Sequence, residues 1–141
     1  MIVWQAQSLT TLGGLNGGWR YYNVDAETFT VYDSRNFYAN ISLATKDNPV
    51  PWQFLYSARA TYDPNGIWPS TASLNATFWD KVTHVFSSTP LLLDAYNLYE
   101  TGASAETPNY TTPVCQAQKI CYMRSRCTIQ GLACGNKAGP N

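Results

Sequence analysis

The first third of the chain contains short runs in which apolar and polar residues alternate, whereas the remainder has apolar residues at helical spacing. Alternation with a period of two, in runs rich in aromatic and β-branched residues, is typical of β-strands. The pattern predicts four short strands, over residues 2–7, 19–25, 29–33 and 37–43. A turn at residues 25–27 separates the second and third strands, so we expect a small antiparallel sheet.

The helical pattern begins after residues 46–49, whose sequence KDNP interrupts the strand pattern. A first helix is predicted over residues 51–62, with Pro51 in its first turn. A second helix is predicted over residues 74–86, with Ser73 as its N-cap. Its apolar residues recur at the spacing of a helix side that packs on a core.

Two further helices are predicted from their capping signals. One begins at Thr89-Pro90 and ends before Gly102, because a cap followed by proline starts helices and glycine ends them. The other runs from residue 114 to about 129, and residues 135–141 are predicted to be disordered. Strands followed by helices indicate the α+β class, with helices dominant over residues 51–130.

A glycine-rich loop, residues 10–18 with the sequence TTLGGLNGG, precedes the predicted strand over residues 19–25. Glycine allows positive φ and close approach of the backbone to a ligand or to another segment. The pattern therefore fits two interpretations, a long connection between strands and a loop beside a functional site.

Composition narrows the class of protein. The apolar fraction of 45% supports a packed core in the 141-residue chain. The formal net charge is zero, so no general attraction to nucleic acid is expected. Acids are absent after Glu106, while four basic residues follow it. Such an end either attracts anionic lipid headgroups or forms a solvated helix face.

Three N-glycosylation sequons, at Asn40, Asn75 and Asn109, suggest passage through the secretory pathway. No run approaches the ~20 apolar residues of a membrane span, and residues 1–8 do not have the pattern of a signal peptide. We therefore expect a secreted protein, or alternatively a lysosomal or vacuolar one, whose N-terminal part is missing from this sequence.

Four cysteines, an even number, lie within the last 27 residues at C-x5-C-x5-C-x6-C spacing. Zinc sites favour pairs separated by two to four residues, so disulfides are the favoured interpretation and a metal site is the alternative. The spacing leaves three pairings open among the four residues, which are Cys115, Cys121, Cys127 and Cys134.

Candidate catalytic residues are sparse. His84 is the one histidine, and it lies on a predicted helix without a carboxylate or cysteine at ligand spacing. The nine acids are scattered, and the glycine-rich loop has no Lys-Ser/Thr after it, as a phosphate-binding loop requires. The residues therefore indicate no self-contained catalytic apparatus and no metal site in this chain.

Several segments, in order, resemble the C-terminal part of acid sphingomyelinases and acid sphingomyelinase-like phosphodiesterases, particularly fungal secreted forms. Residues 8–11 and 15–25 are similar to the family's S-x-T-T and LNPGYRVYxID. Residues 40–42 match N-[IL]-[ST], and residues 52–62 resemble W-x-x-x-Y-x-A-[RK]-x-x-Y. The resemblance covers residues 2–134.

The resemblance implies a calcineurin-like phosphoesterase with two zinc ions whose ligands all lie upstream of this stretch. Residues 1–45 would be the closing strands of the catalytic sandwich, residues 46–134 a helical C-terminal domain that packs on it, and residues 135–141 a tail. The catalytic domain of the same polypeptide is then the main partner, and a lipid surface is a second one. Thr10, Thr11 and Asn16 are the residues expected nearest to the substrate cleft.

Two positions depart from the family pattern, because Gly17 replaces a proline and Leu12 replaces an aromatic residue that faces the cleft in animal relatives. The resemblance also implies a disulfide between Cys121 and Cys134. We hypothesise that Cys115 pairs with Cys127.

Three functions are compatible with the sequence. The first is the non-catalytic part of a zinc-dependent hydrolase that cleaves sphingomyelin into ceramide and phosphocholine, or cleaves a related phosphodiester. The second is a stand-alone secreted module that binds lipid or carbohydrate through its aromatic residues. The third is a truncated gene product without activity of its own.

Overall fold

The computed structural model describes residues 4, 6–108, 110, 112–125 and 134, and within these it has an α+β fold, as predicted. Three strands are followed by four helices. The strands are β1 (Gly17–Val24), β2 (Val31–Ala39) and β3 (Gln53–Ser57), and the helices are α1 (Ala58–Tyr62), α2 (Ala76–Phe86), α3 (Pro90–Glu100) and α4 (Pro113–Arg124). Short 3₁₀ turns occupy Leu12–Gly14 and Ile41–Leu43.

The sheet is antiparallel, with β2 between β1 and β3. The predicted strand over residues 19–25 is confirmed as β1. The prediction over residues 2–7 is wrong for its described residues, because Trp4, Ala6 and Gln7 lie outside the strands, and the rest of it falls outside the described residues.

The two strands predicted over residues 29–33 and 37–43 are in fact the single strand β2. Two of the polar residues between them, Ser34 and Asn36, are buried, whereas Arg35 is exposed. Asn36 Nδ2 donates to Ser34 O at 3.3 Å and to Tyr56 O at 3.4 Å. Pairing with β1 on one side and with β3 on the other continues through these residues, so the strand extends to Ala39. Residues 41–43 then form a 3₁₀ turn, in which Ser42 N donates to the side chain of Asn40.

The helix predicted over residues 51–62 is also wrong in its first half, which is β3. Pairing with β2 overrides the helical spacing of the apolar residues. Only the second half is helical, as the short helix α1. Because β3 and β2 share one sheet, the predicted regions 1–45 and 46–134 are joined directly by backbone hydrogen bonds.

The predicted helices α2 and α3 are confirmed, and only the start and the N-cap of α2 differ from the prediction. Helix α2 begins at Ala76 rather than at residue 74, and Asn75 caps it in place of Ser73. Helix α3 starts at Pro90 and is followed by Gly102 at φ 65°, as the capping signals predicted. A core of buried apolar residues lies among α1, α2 and α3, formed by Ala58, Tyr62, Leu74, Phe78, Val82, Phe86 and Leu93.

Helix α4 is shorter than the predicted 114–129, because Ser125 already has extended backbone (ψ 134°). The predicted disulfide between Cys121 and Cys134 is confirmed. Cys115 has a free thiol among the described residues. Cys127 and residues 135–141 lie outside the described residues, so the Cys115–Cys127 pair and the disordered tail stay predictions. Across the described part of the chain, every helix is too short or too polar to cross a membrane.

Candidate functional site

The residues predicted near a substrate cleft lie in the segment that precedes β1. Thr10 and Thr11 are exposed. Asn16, by contrast, is only 6% exposed, and its side chain is hydrogen-bonded at both ends. Its Nδ2 donates to Gly102 O at 2.8 Å, and its Oδ1 accepts from Ile41 N at 3.0 Å. Asn16 therefore ties the glycine-rich loop to two distant turns, while the two threonines face solvent.

A second contact fixes the same loop to the segment after α3. Ser104 Oγ donates to Gly14 O at 2.9 Å and accepts from Glu106 N at 3.0 Å. Gly102 is required here, because its φ of 65° disfavours other residues and a Cβ would lie 3.0 Å from Asn16 O. The loop that the glycines suggested is thus held in place by bonds across about 90 residues of sequence.

Asp33 forms a buried junction between the sheet and α1. Its Oδ1 accepts from Ser34 N at 2.8 Å and from Arg59 N at 2.9 Å, and its Oδ2 accepts from Ser57 Oγ at 2.8 Å. Through these bonds Asp33 joins β2 to the end of β3 and to the first turn of α1. Sequence reasoning did not single out this residue, because two of its three partners, Ser57 and Arg59, lie 24 and 26 positions away.

The Arg59 side chain extends the same junction to the loop before α2. Its guanidinium donates to Tyr32 O at 3.0 Å, to Pro69 O at 3.2 Å and to Ala72 O. Arginine is suited to this role because it carries five donors in a fixed plane. The arginine in the W-x-x-x-Y-x-A-[RK] resemblance thus joins the sheet to the loop before α2.

The one histidine does not form part of a metal site among the described residues. His84 is exposed on α2, and its Nδ1 lies 2.7 Å from Asp80 O and 3.5 Å from Asp80 Oδ2. The prediction that His84 has no carboxylate at ligand spacing is therefore wrong, because Asp80 lies one helical turn before it. Asp80 also contacts Arg124 of α4 at 3.3 Å. The described part of the chain contains no group of three or more His, Cys, Asp or Glu side chains that could hold a metal ion.

The buried Tyr62 and the half-buried Tyr56, Tyr96 and Tyr99 lie where the sheet meets the helices. The rings of Tyr56 and Tyr99 are stacked with centroids 4.4 Å apart. Burial raises the pKa of Tyr56 and raises that of Tyr62 further, and burial together with Glu100 raises the pKa of Tyr96 to about 12. These phenols stay protonated at neutral pH, so they do not supply a general base.

The asparagines of the two described sequons differ in solvent exposure. Asn40 is half-buried, and its Oδ1 accepts from Ser42 N at 3.1 Å and Ser42 Oγ at 2.6 Å. Asn75 is exposed at the start of α2, and its Oδ1 accepts from Thr77 N at 3.0 Å. Both sets of bonds use the oxygen, whereas a glycan is attached to nitrogen. Asn109 lies outside the described residues, and glycosylation at all three positions stays a prediction.

Aromatic side chains cover one face of the sheet, which we call the aromatic face. Its members are Trp19, Tyr21, Phe37, Trp52 and Phe54. Trp19 and Phe37 are register partners on β1 and β2, and their rings are stacked 4.5 Å apart. Trp52 is 48% exposed and Phe54 is 54% exposed. The described residues therefore leave a contiguous aromatic surface open to solvent.

A β-bulge places Phe54 on this face. Asn36 pairs with Tyr56 and Phe37 pairs with Phe54, so Leu55 is the extra residue in β3. Without the bulge, side chains two positions apart would share one face. With it, Phe54 joins Phe37 on the aromatic face, at 5.6 Å, while Tyr56 faces the helices.

The opposite face, which we call the covered face, packs on the helices and on the segment before β1. Tyr22 contacts the ring of Trp4 at 5.5 Å, and Trp4 contacts Trp79 of α2 at 5.6 Å. Tyr56 contacts Tyr99 of α3. The described residues therefore cover this face of the sheet, whereas they leave the aromatic face open.

Comparison with curated proteins finds several named sphingomyelin phosphodiesterases. Sphingomyelin phosphodiesterase A of Dictyostelium discoideum is 26% identical over 116 residues, 82% of this chain and 18% of that relative. Sphingomyelin phosphodiesterase of Bos taurus is 30% identical over 131 residues, 88% of this chain and 19% of that relative. Sphingomyelin phosphodiesterase B of Dictyostelium discoideum is 22% identical over 134 residues, 94% of this chain and 20% of that relative.

These matches support a relationship to acid sphingomyelinase-like proteins at low identity. No family model matches the chain. The chain spans about a fifth of the length of these curated relatives.

Proposed function

We propose that the chain is the non-catalytic C-terminal part of a secreted, zinc-dependent hydrolase that acts on sphingomyelin or a related phosphodiester. The observation that carries the proposal is the pattern of coverage. The matches take in 82–94% of this chain but only 18–20% of the relatives. A segment that aligns almost entirely to a fifth of a larger enzyme is best understood as one part of such an enzyme.

The site chemistry agrees with a supporting role. The sequence has a single histidine, and the described residues do not form a zinc site. The zinc ligands would lie in the rest of the polypeptide, so we assign no catalytic step to this chain. Asn16 would hold the glycine-rich loop in position, and the exposed Thr10 and Thr11 would lie at the rim of the cleft.

Activity measurements on two proteins test this proposal. The purified 141-residue chain should not hydrolyse sphingomyelin in vesicles, with or without added zinc. The complete polypeptide encoded at the same locus should hydrolyse a phosphodiester, contain zinc and lose activity on chelation. Zinc-dependent turnover by the 141-residue chain would overturn the proposal, and so would an upstream sequence without metal-binding motifs.

The aromatic face favours one alternative, a stand-alone secreted module that binds lipid or carbohydrate. Aromatic rings with exposed faces are suited to both kinds of ligand. Under this alternative the 141-residue chain should co-sediment with sphingomyelin vesicles or be retained on a polysaccharide column. Under the main proposal it should do neither more strongly than a variant with Trp52→Ser and Phe54→Ser.

A further inference from the structure

Unpaired polar atoms collect on the covered side of the sheet. Among the described residues, six buried side-chain nitrogen and oxygen atoms have no hydrogen-bond partner, although such atoms are almost always bonded in folded proteins. They belong to the side chains that we call the polar seam, which are Gln7, Arg20, Ser34, Asn36, Trp79 and Asn97. Leaving a buried polar atom unbonded costs free energy, so the polar seam is a candidate binding site.

Three members of the polar seam lie side by side on the sheet. Arg20 of β1 and Asn36 of β2 are register partners, and Ser34 lies two positions before Asn36. Residues two positions apart in a strand share a face, and Tyr22, the register partner of Ser34, contacts Trp4 on the covered face. Arg20 Nε, Ser34 Oγ and Asn36 Oδ1 therefore belong to one patch of that face, where Ser34 and Asn36 are each 1% exposed.

The other members lie on the segments that cover this patch. Trp79 of α2 contacts the ring of Trp4. Asn97 is 4% exposed on α3, the helix that stacks on β3 through a pair of tyrosines. Gln7 lies against Gly18 of β1, so closely that a Cβ at this glycine would overlap the Gln7 side chain. The polar seam therefore lies between the sheet and the elements that pack on it.

The donors and acceptors of the polar seam identify its ligand. Two of the unpaired atoms only donate, the nitrogens of Arg20 and Trp79, and one, the hydroxyl of Ser34, can donate or accept. The other three are amide oxygens, which only accept. An anion would bond only to the donors and a cation only to the acceptors, whereas water can bond to every member. A neutral molecule that both donates and accepts is therefore the ligand that fits.

We propose that the polar seam binds ordered internal water molecules, which bridge the sheet to the segments that cover it. A buried water makes about three hydrogen bonds, so roughly two or three molecules satisfy the seam. Gln7 lies shortly before the glycine-rich loop. The same waters therefore help to hold the start of that loop against β1, whether or not the chain is part of a larger enzyme.

Removal of single polar groups tests the proposal. If Ser34 Oγ has no partner, Ser34→Ala should leave stability equal or raise it, whereas loss of a water-bonded hydroxyl should lower it. We expect the folding equilibrium constant of the 141-residue chain to fall about fivefold in urea denaturation. Asn97→Leu should lower it similarly, although leucine is apolar and favours helix. Ser87→Ala, at an exposed serine after α2, is the matched control and should change the constant less than about twofold.

Oxygen-17 relaxation dispersion of water measures the bound molecules themselves, because it detects waters that stay inside a folded protein. The unmodified chain should contain at least about two such waters. Ser34→Ala and Asn97→Leu should each lose one or more of them, and Ser87→Ala should lose none. If a variant does not fold, the number of waters in the unmodified chain still decides the question.

Three results would overturn the proposal. The absence of long-lived water from the unmodified chain would show that the polar seam binds none. Unchanged or increased stability in both Ser34→Ala and Asn97→Leu would show that their polar atoms are unbonded. A loss of stability with an unchanged number of waters would show that these side chains act without water.

Discussion

The two faces of the three-stranded sheet differ in how much of each is covered by other described residues. The covered face is closed by helices, by stacked tyrosines and by hydrogen bonds such as that of Asn16 with Gly102. The aromatic face has rings of comparable size, yet its members remain partly exposed. The described residues therefore cover one face of the sheet. The other face has aromatic side chains typical of a protein core, yet these side chains are exposed to solvent.

The largest expected effect is the loss of stability when a side chain on the covered side, rather than one on the aromatic face, is truncated to alanine. Leu93→Ala should lower the free energy of unfolding by about 2–5 kcal/mol, because Leu93 is fully buried in the helical core. Phe54→Ala in the same 141-residue chain should cost less than about 1 kcal/mol, because half of its surface already faces water. Urea denaturation measures both, and equal costs would contradict the distinction between the faces.

The second prediction uses pH to probe the covered side. The pKa of Tyr96 is raised from 10.0 to about 12, so the folded protein keeps a proton that the unfolded chain releases. Stability should therefore be fully present below pH 10 and fall as the pH rises toward 12, by about 2–3 kcal/mol. Denaturation at a series of alkaline pH values measures this, and Tyr96→Phe should make the loss smaller. A flat profile in both proteins would show that the tyrosine is not buried.

The third prediction concerns the loop that precedes β1. Asn16→Ala should cost about 1–3 kcal/mol, because it leaves the carbonyl of Gly102 and the N–H of Ile41 without their partner. Asn23→Ala is the matched control, since Asn23 is an exposed asparagine on β1, the strand that follows Asn16, and it should change stability by less than about 0.5 kcal/mol. Thermal denaturation of the two variants compares them, and an equally small effect at both positions would argue against the bridge.

The smallest effect should come from the cap of α2. Asn75→Ala should cost about 1 kcal/mol in protein made without glycosylation, because it removes the acceptor for Thr77 N. Thr77→Ala destroys the same sequon but keeps the cap, so it should change stability by less than about 0.5 kcal/mol. In protein secreted from a eukaryotic host both variants should lose one glycan by mass, and retention of that mass would show that Asn75 is not modified.

Local signals account for the parts of the fold that could be predicted from sequence. Pro90 and Gly102 bound α3 correctly, because helix ends depend on a few adjacent residues, although the side chain of Thr89 makes no capping hydrogen bond. The periodic apolar residues of α2 identified most of its core-facing positions for the same reason. The Cys121–Cys134 bridge came from the family resemblance rather than from spacing, which left three pairings open.

Long-range contacts explain what could not be predicted. The spacing of residues 52–62 suits a helix, and only pairing with β2 makes its first half a strand. The partners of Asn16 lie 25 and 86 positions away, so its structural role is not visible in its neighbours. Alternation identified β1, but which of its faces is covered depends on where the helices pack. The rim role of Thr10 and Thr11 stays a prediction.

The most direct test of the account is the cost of Phe54→Ala in two contexts, measured by native-state hydrogen exchange of β2 and β3. In the 141-residue chain we expect a cost below about 1 kcal/mol. In the complete polypeptide we expect about 3–5 kcal/mol, the cost of truncating a buried phenylalanine. The same small cost in both would contradict the proposal that this chain is one part of a larger enzyme, in which the rest of the polypeptide covers the aromatic face.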